Sequence, residues 1–186
     1  LDQILDRRIG IPITLSLVYT VVGTRAGLPL QGVGFPGRFL VKAGQGAGSL
    51  MIDVFSGGRL LTESDLNARL DAIYGVGALS VRARPALLRA ATHREILVRM
   101  LRNLKSIYLR REETARVLDM VSAILALVPD LPEELRDRGL LYRDLGHMSA
   151  ALADLRRFSA LSDNAEEIAE VVRVISELET RPMRLH

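Results

Sequence analysis

The chain has 186 residues, 48% of them hydrophobic and 25% charged, with a formal net charge of +3, a composition that suits one or two folded domains and excludes a disordered tail. It contains no cysteine and no tryptophan, and none of its three histidines (His93, His147, His186) precedes residue 93. Disulfides, thiolate metal sites, a cysteine nucleophile and a histidine base in the first 92 residues are thereby excluded, and aromatics at 4% argue against base-stacking nucleic-acid modules.

All basic residues except Lys42 and Lys105 are arginine, a weak pointer to an anionic partner. No apolar run reaches the roughly 18 residues of a membrane span. The nearest, Ile9–Val22, is interrupted by Thr14, Ser16, Tyr19 and Thr20. A cytoplasmic chain is expected, and because it begins at Leu1 it reads as an N-terminally truncated part of a longer protein.

Two regimes meet near residue 92. Residues 1–91 hold 13 of the 15 glycines, and the remainder reads as helix, so two domains, 1–91 and 92–186, are expected. Pro12, followed by Ile13, Leu15, Leu17, Val18, Val21 and Val22, predicts a buried helix that stops at Ala26-Gly27. Alternating apolar residues between glycine clusters predict antiparallel strands at Gly32–Phe35, Phe39–Ala43 and Ser49–Phe55. Thr62-Glu63-Ser64-Asp65 reads as a capping box opening a helix through Leu70, and Leu79–Ala83 as one more strand.

Thr92-His93-Arg94-Glu95 is a second capping box, after which Ile96, Leu97, Met100, Leu101, Leu104, Ile107 and Tyr108 recur at helical spacing. Further helices are predicted at Glu113–Leu127, Pro132–Asp144, Ser149–Leu161 and Ala165–Glu179, with Asp130 and Asp163 as caps for the second and fourth of these. A shift of 34 pairs Leu101 with Leu135, Arg102 with Arg136, Tyr108 with Tyr142, Leu118 with Leu152 and Leu127 with Leu161. Thirty-four residues is the tetratricopeptide period, and Gly139, Tyr142, Gly146 and Ala151 fit its signature. The fold class is therefore α+β: a helix-on-antiparallel-sheet domain followed by an all-α helical repeat region.

The strings Arg7-Arg8-Ile9-Gly10-Ile11-Pro12-Ile13-Thr14-Leu15-Ser16-Leu17, Gly32-Val33-Gly34-Phe35-Pro36-Gly37-Arg38-Phe39 and Ile52-Asp53-Val54-Phe55, in this order, resemble the bacterial SirB-one family, whose members join a transglutaminase-like core to tetratricopeptide repeats. The wider transglutaminase-like superfamily uses a cysteine at a helix N-terminus, oriented with a histidine and an aspartate. The resemblance puts Pro12 at the nucleophile, Arg38 at the base and Asp53 at the orienter, so only the aspartate survives. Arginine does not deprotonate at neutral pH, and the inherited chemistry is expected to be absent, with no metal and no cofactor. Thr14 and Ser16 are alternative hydroxyls and Lys42 or Asp65 alternative bases, against the plainer reading of helix hydroxyls and surface charges. For Asp53 the plainer reading is a structural carboxylate paired with Arg38 or turn amides. Gly32-x-Gly34-x-x-Gly37 precedes a strand and not a helix, so it is not a dinucleotide fingerprint, and His93 and His147 read as exposed structural positions.

Three functions compete: a non-catalytic, regulatory protein-protein interaction module; a hydrolase or acyl transferase with a rebuilt, thiol-independent site; and a nucleic-acid binder, which the low aromatic content disfavours. For the first, the tetratricopeptide register aligns Lys105 with Gly139 and brings Arg99, Arg102, Asn103, Ser106 and Arg110, then Arg136 and Arg143, to the concave face, suited to an acidic segment or carboxylate terminus of a protein or peptide partner. The same arginines have nearby carboxylates, Glu133 and Asp137, as alternative partners.

Overall fold

The structure, a computed structural model, describes residues 2–80 and 82–180, apart from the side chain of Ala47. Two compact units divide the chain, Leu1–Ile96 and Leu97–His186. The first opens with a short helix, α1 (Asp2–Arg7), then α2 (Pro12–Arg25) and four strands, β1 (Leu30–Val33), β2 (Leu40–Ala43), β3 (Leu50–Asp53) and β4 (Arg59–Leu61). The strands pair antiparallel in sequence order, with Leu30 opposite Ala43, Val41 opposite Ile52 and Ile52 opposite Leu60. Alternation along each strand sorts the apolar residues onto two faces. Val33, Leu40, Met51 and Leu61 pack with Leu66 and Leu70 of α3 (Glu63–Tyr74), while Leu30, Val41 and Ile52 form a second cluster. Gly23 of α2 lies against Leu30, which places α2 on that second side.

Local chemistry sets the element boundaries. Proline at the first position starts α2, and the Thr14 hydroxyl accepts from the Ile11 N–H at 3.1 Å while donating to the Ile11 carbonyl at 3.0 Å. Thr62 and Asp65 form the expected capping box of α3, with Thr62 Oγ1 accepting from the Asp65 N–H and Asp65 Oδ2 from the Thr62 N–H. That helix runs four residues beyond Leu70, to Tyr74. The run 79–83 is not a strand among its described residues, where bends and turns lead into the short helix α4 (Arg84–Leu87); Val81 lies outside the described residues. The edge position on the sheet is instead extended by a single bridge between Val33 and Ala90.

The second capping box, with Glu95 accepting from the Thr92 N–H at 2.8 Å, opens α5 (His93–Arg110). There follow α6 (Thr114–Leu127), α7 (Pro132–Asp144), α8 (Met148–Leu161) and α9 (Ala165–Thr180). Val117, Val121 and Leu125 of α6, Leu135 of α7, Ala151, Leu155 and Phe158 of α8 and Val171 and Leu178 of α9 share one core. Two expected caps are corrected. Asp130 pairs with Arg157 and leaves α7 to begin at Pro132, whose missing N–H needs no cap; α9 is capped by Asn164, not Asp163, through bonds of 3.1 and 3.3 Å from the Glu166 and Glu167 N–H groups.

The 34-residue period is a period of structure. The Glu113 N–H reaches back to the Tyr108 carbonyl at 3.0 Å, and 34 positions on the His147 N–H reaches the Tyr142 carbonyl at 2.8 Å. Arg102 pairs with Glu133, 31 residues ahead, and Arg136 pairs with Glu167, also 31 ahead.

Candidate functional site

Asp53 closes β3 and is completely buried. It caps the 3₁₀ turn that follows: Oδ1 accepts from the Ser56 N–H at 3.2 Å and Oδ2 from the Ser56 hydroxyl at 3.0 Å. Two arginines converge on the same Oδ2, Arg69 of α3 with Nη2 at 2.8 Å and Arg38, ahead of β2, with Nη1 at 3.7 Å. Burial alone would raise the Asp53 pKa; the bonds from Arg69 and from the Ser56 hydroxyl and amide outweigh it and hold the carboxyl below its ordinary value. The Arg38 guanidinium also lies over the Phe55 ring, its Cζ 5.4 Å from the centroid.

Of the residues singled out in the sequence, Arg38 and Asp53 are brought together, and Pro12 opens α2, contributing no N–H to its first turn. The hydroxyls near the start of α2 are already committed to carbonyls, Thr14 to Ile11 and the buried Ser16 to Phe39 at 3.2 Å. Asp65 is held by Arg59 at 2.7 Å and by Thr62. Sequence reading missed Arg69, Ser56 and Phe55. Ser56 three residues after Asp53 is the one local signal, since such spacing suits an aspartate-capped turn; nothing along the chain connects Arg69 to a carboxylate 16 positions earlier.

In the second unit the arginines meet carboxylates of the chain itself. Arg102 holds Glu133 at 3.1 Å and the buried Glu134 at 2.7 Å, and Lys105 holds Glu134 at 2.7 Å and also Asp137. Burial works to lower the Lys105 pKa, and the two carboxylates reverse this, so that it lies above its ordinary value. Arg136 pairs with Glu167 and Asp137, and Arg143 with Asp144 at 2.8 Å. Arg99 is half-buried, which lowers its pKa; Asn103 is half-buried, and Ser106 and Arg110 are exposed. His93 is exposed at the start of α5, and His147 stands edge-on to the Tyr142 ring with centroids 6.0 Å apart. Among the described residues no group of three His, Asp or Glu side chains is arranged to hold a metal, and no helix is long and apolar enough to cross a membrane.

Residues 1–102 match the profile of the transglutaminase-like superfamily, and residues 104–178 that of the tetratricopeptide repeat. The chain is 41% identical over all 186 residues to a protein of Xylella fastidiosa (strain Temecula1) named UPF0162 protein, spanning 66% of that protein's length. It is 33% identical over 159 residues to the UPF0162 protein of Vibrio cholerae, covering 85% of this chain and 57% of that protein. Over 157 residues it is 32% identical to F-box only protein 21 of Mus musculus, covering 78% of this chain and 24% of that protein.

Proposed function

The chain belongs to the transglutaminase-like superfamily, and on that premise we propose that it is a non-catalytic member acting as a protein-protein interaction module, of the SirB-one type, with a regulatory role in the cytoplasm. A transglutaminase-like part joined to tetratricopeptide repeats points to protein partners. The two parts, 1–91 and 92–186, divide the labour, the first as a scaffold and the second as the partner-binding element. The observation that carries the reading is the state of Asp53: the carboxylate at the orienter position is engaged by Arg69, Arg38 and Ser56, and position 12 bears no thiol. A carboxylate so engaged has no imidazole to orient, and Arg38 offers donors only.

The partner-binding face comprises Arg99, Arg102, Asn103, Ser106 and Arg110 on α5 with Arg136 and Arg143 on α7. An acidic segment docking there competes with Glu133, Glu134, Asp144 and Glu167 for the same guanidinium edges, so Arg110 and Asn103 are its best probes. The test has two readouts. Turnover of an activated ester should not exceed that of buffer, and turnover lost in Arg38→Gln would overturn the non-catalytic reading in favour of a hydrolase or acyl transferase with a rebuilt site. A partner captured from extract by the wild-type chain should be lost with Arg110→Glu combined with Asn103→Ala; undiminished capture would remove this face from the proposal.

A further inference from the structure

We propose that Arg38 and Arg69, beside Phe55, bind the carboxylate of a ligand that carries an apolar stem, an assignment that rests on the non-catalytic reading of this site. Charge is the first argument. Two guanidinium groups share a single oxygen of Asp53, while its other oxygen takes the Ser56 amide. Asp65, which also feels the charge of Arg69, is paired with a third arginine, Arg59, so three guanidinium groups face two carboxylates. One positive charge is left over.

Hydrogen-bond stoichiometry is the second. Arg69 gives Asp53 one bond, from Nη2, and the 3.7 Å from Arg38 is an ion pair without a bond. The Nη1 atoms of Arg38 and of Arg69 are both buried and have no hydrogen-bond partner among the described residues. Arginine cannot relieve this by losing a proton, so an acceptor is what the two groups require. The two Nη1 atoms are themselves out of contact with solvent, while the Arg38 and Arg69 side chains that carry them are 38% and 27% exposed.

Shape gives the class of ligand. Arg38 lies over the Phe55 ring with its Cζ 5.4 Å from the centroid, and its planar guanidinium fork has the geometry that matches a carboxylate. Phe55 is itself 47% exposed and offers an apolar surface next to the charge. A small organic acid and the free C-terminus of a peptide both carry this chemistry.

The experiment is calorimetric titration of the whole chain with 3-phenylpropionate, its amide and inorganic phosphate at constant ionic strength, and with a short phenylalanine-terminated peptide bearing a free or an amidated end. The acid is expected to bind saturably and the amide not, and Arg38→Gln is expected to weaken the acid by about tenfold or more. A free-ended peptide that binds more tightly than the acid identifies a chain terminus as the source, and weaker binding a small acid. Arg69→Gln removes the closest partner of buried Asp53, so the second variant is Arg69→Lys, which keeps the charge and loses the fork; it too should weaken the acid. Equal binding of acid and amide, no binding of either, tighter binding of phosphate, or undiminished binding by Arg38→Gln would each overturn the assignment. Turnover of an activated ester is read separately, so failure of the non-catalytic reading is distinguishable from failure of this one.

Discussion

Glu112 and Gly146, 34 residues apart, occupy the same left-handed corner of their helix pairs, with φ of +56° and +81°. Only glycine adopts that conformation without a steric cost from Cβ, about 1 kcal/mol for an ordinary residue. Glu112 is exposed and forms no part of the core, so Glu112→Gly is expected to raise stability by up to about 1 kcal/mol and Gly146→Ala to lower it by a similar amount. Urea denaturation of the two variants checks the pair; a Glu112→Gly chain less stable than wild type would show that the corner is held by something other than backbone conformation.

The Lys105–Glu134 pair has its own counterpart 34 residues on, and it is Gly139 with Ile168. At this one position the first junction between helix pairs is ionic, where the second, which keeps the Arg136–Glu167 pair, carries a glycine and an isoleucine. Lys105→Ala leaves Glu134, 2% exposed, with Arg102 alone, and should cost about 3 kcal/mol. Lys105→Ala with Glu134→Ile reproduces the chemistry of the second junction and should recover most of that loss, as replacement of a buried ion pair by apolar groups commonly does. Denaturation midpoints of the single and double variants decide it; a double variant as unstable as the single one would contradict the equivalence.

At Gly139 a Cβ would come within 2.7 Å of both Cγ and Cδ2 of Leu155 and 3.3 Å of the Ala151 carbonyl oxygen. Alanine there gains helix propensity of about 1 kcal/mol but forces α7 off α8, so Gly139→Ala is expected to destabilise by about 1–2 kcal/mol net. Trimming the neighbour with Leu155→Val should make the two substitutions compensate in part, which a double-mutant cycle measures.

Glu95, at the start of α5, is pulled from an ordinary pKa of 4.5 to about 2, first by its bonds from Arg89 and then by the Thr92 amide and hydroxyl. A carboxyl whose pKa is lower in the folded chain stabilises the fold above the ordinary value, and that contribution is lost as pH falls from about 4.5 towards 2. Glu95 is 43% exposed, and solvent screening limits the effect to about 1 kcal/mol. The urea midpoint of Glu95→Gln, measured from neutral pH down to about pH 2, should therefore fall less steeply than that of the wild type. Parallel curves would mean that the bond to Arg89 is not populated in solution.

What the sequence disclosed was governed by range. Helices with local signals, two capping boxes and a proline start at Pro132, have starts legible to within a residue or two, as does the helix from Pro12. β4 escapes because three residues between the Gly57-Gly58 turn and a capping box carry too little periodicity, and its pairing with Met51–Asp53 supplies what its own sequence lacks. The helix from Asp2 to Arg7 has no buried residue and so no apolar stripe to read. Asn164 over Asp163 is a choice between adjacent capping residues that only the backbone makes. Asp53 was visible through the family resemblance that Ile52-Asp53-Val54-Phe55 helps to carry, whereas Arg69 reaches it from a different element by a long side chain, and no spacing rule anticipates that.

The pairing of Arg102 with Glu133 and of Arg136 with Glu167 gives the helix pairs a polarity: each hands an arginine forward and receives a glutamate. Position 170, which continues the series 102 and 136, is Glu170. A helix pair grafted after α9 would have to present a cation where the earlier ones present an anion. A tandem duplication of residues 102–135, by contrast, would find matching charges at both of its seams. Lengthening from within thus reuses the charges already present, where lengthening at α9 requires a pair of reversed charge.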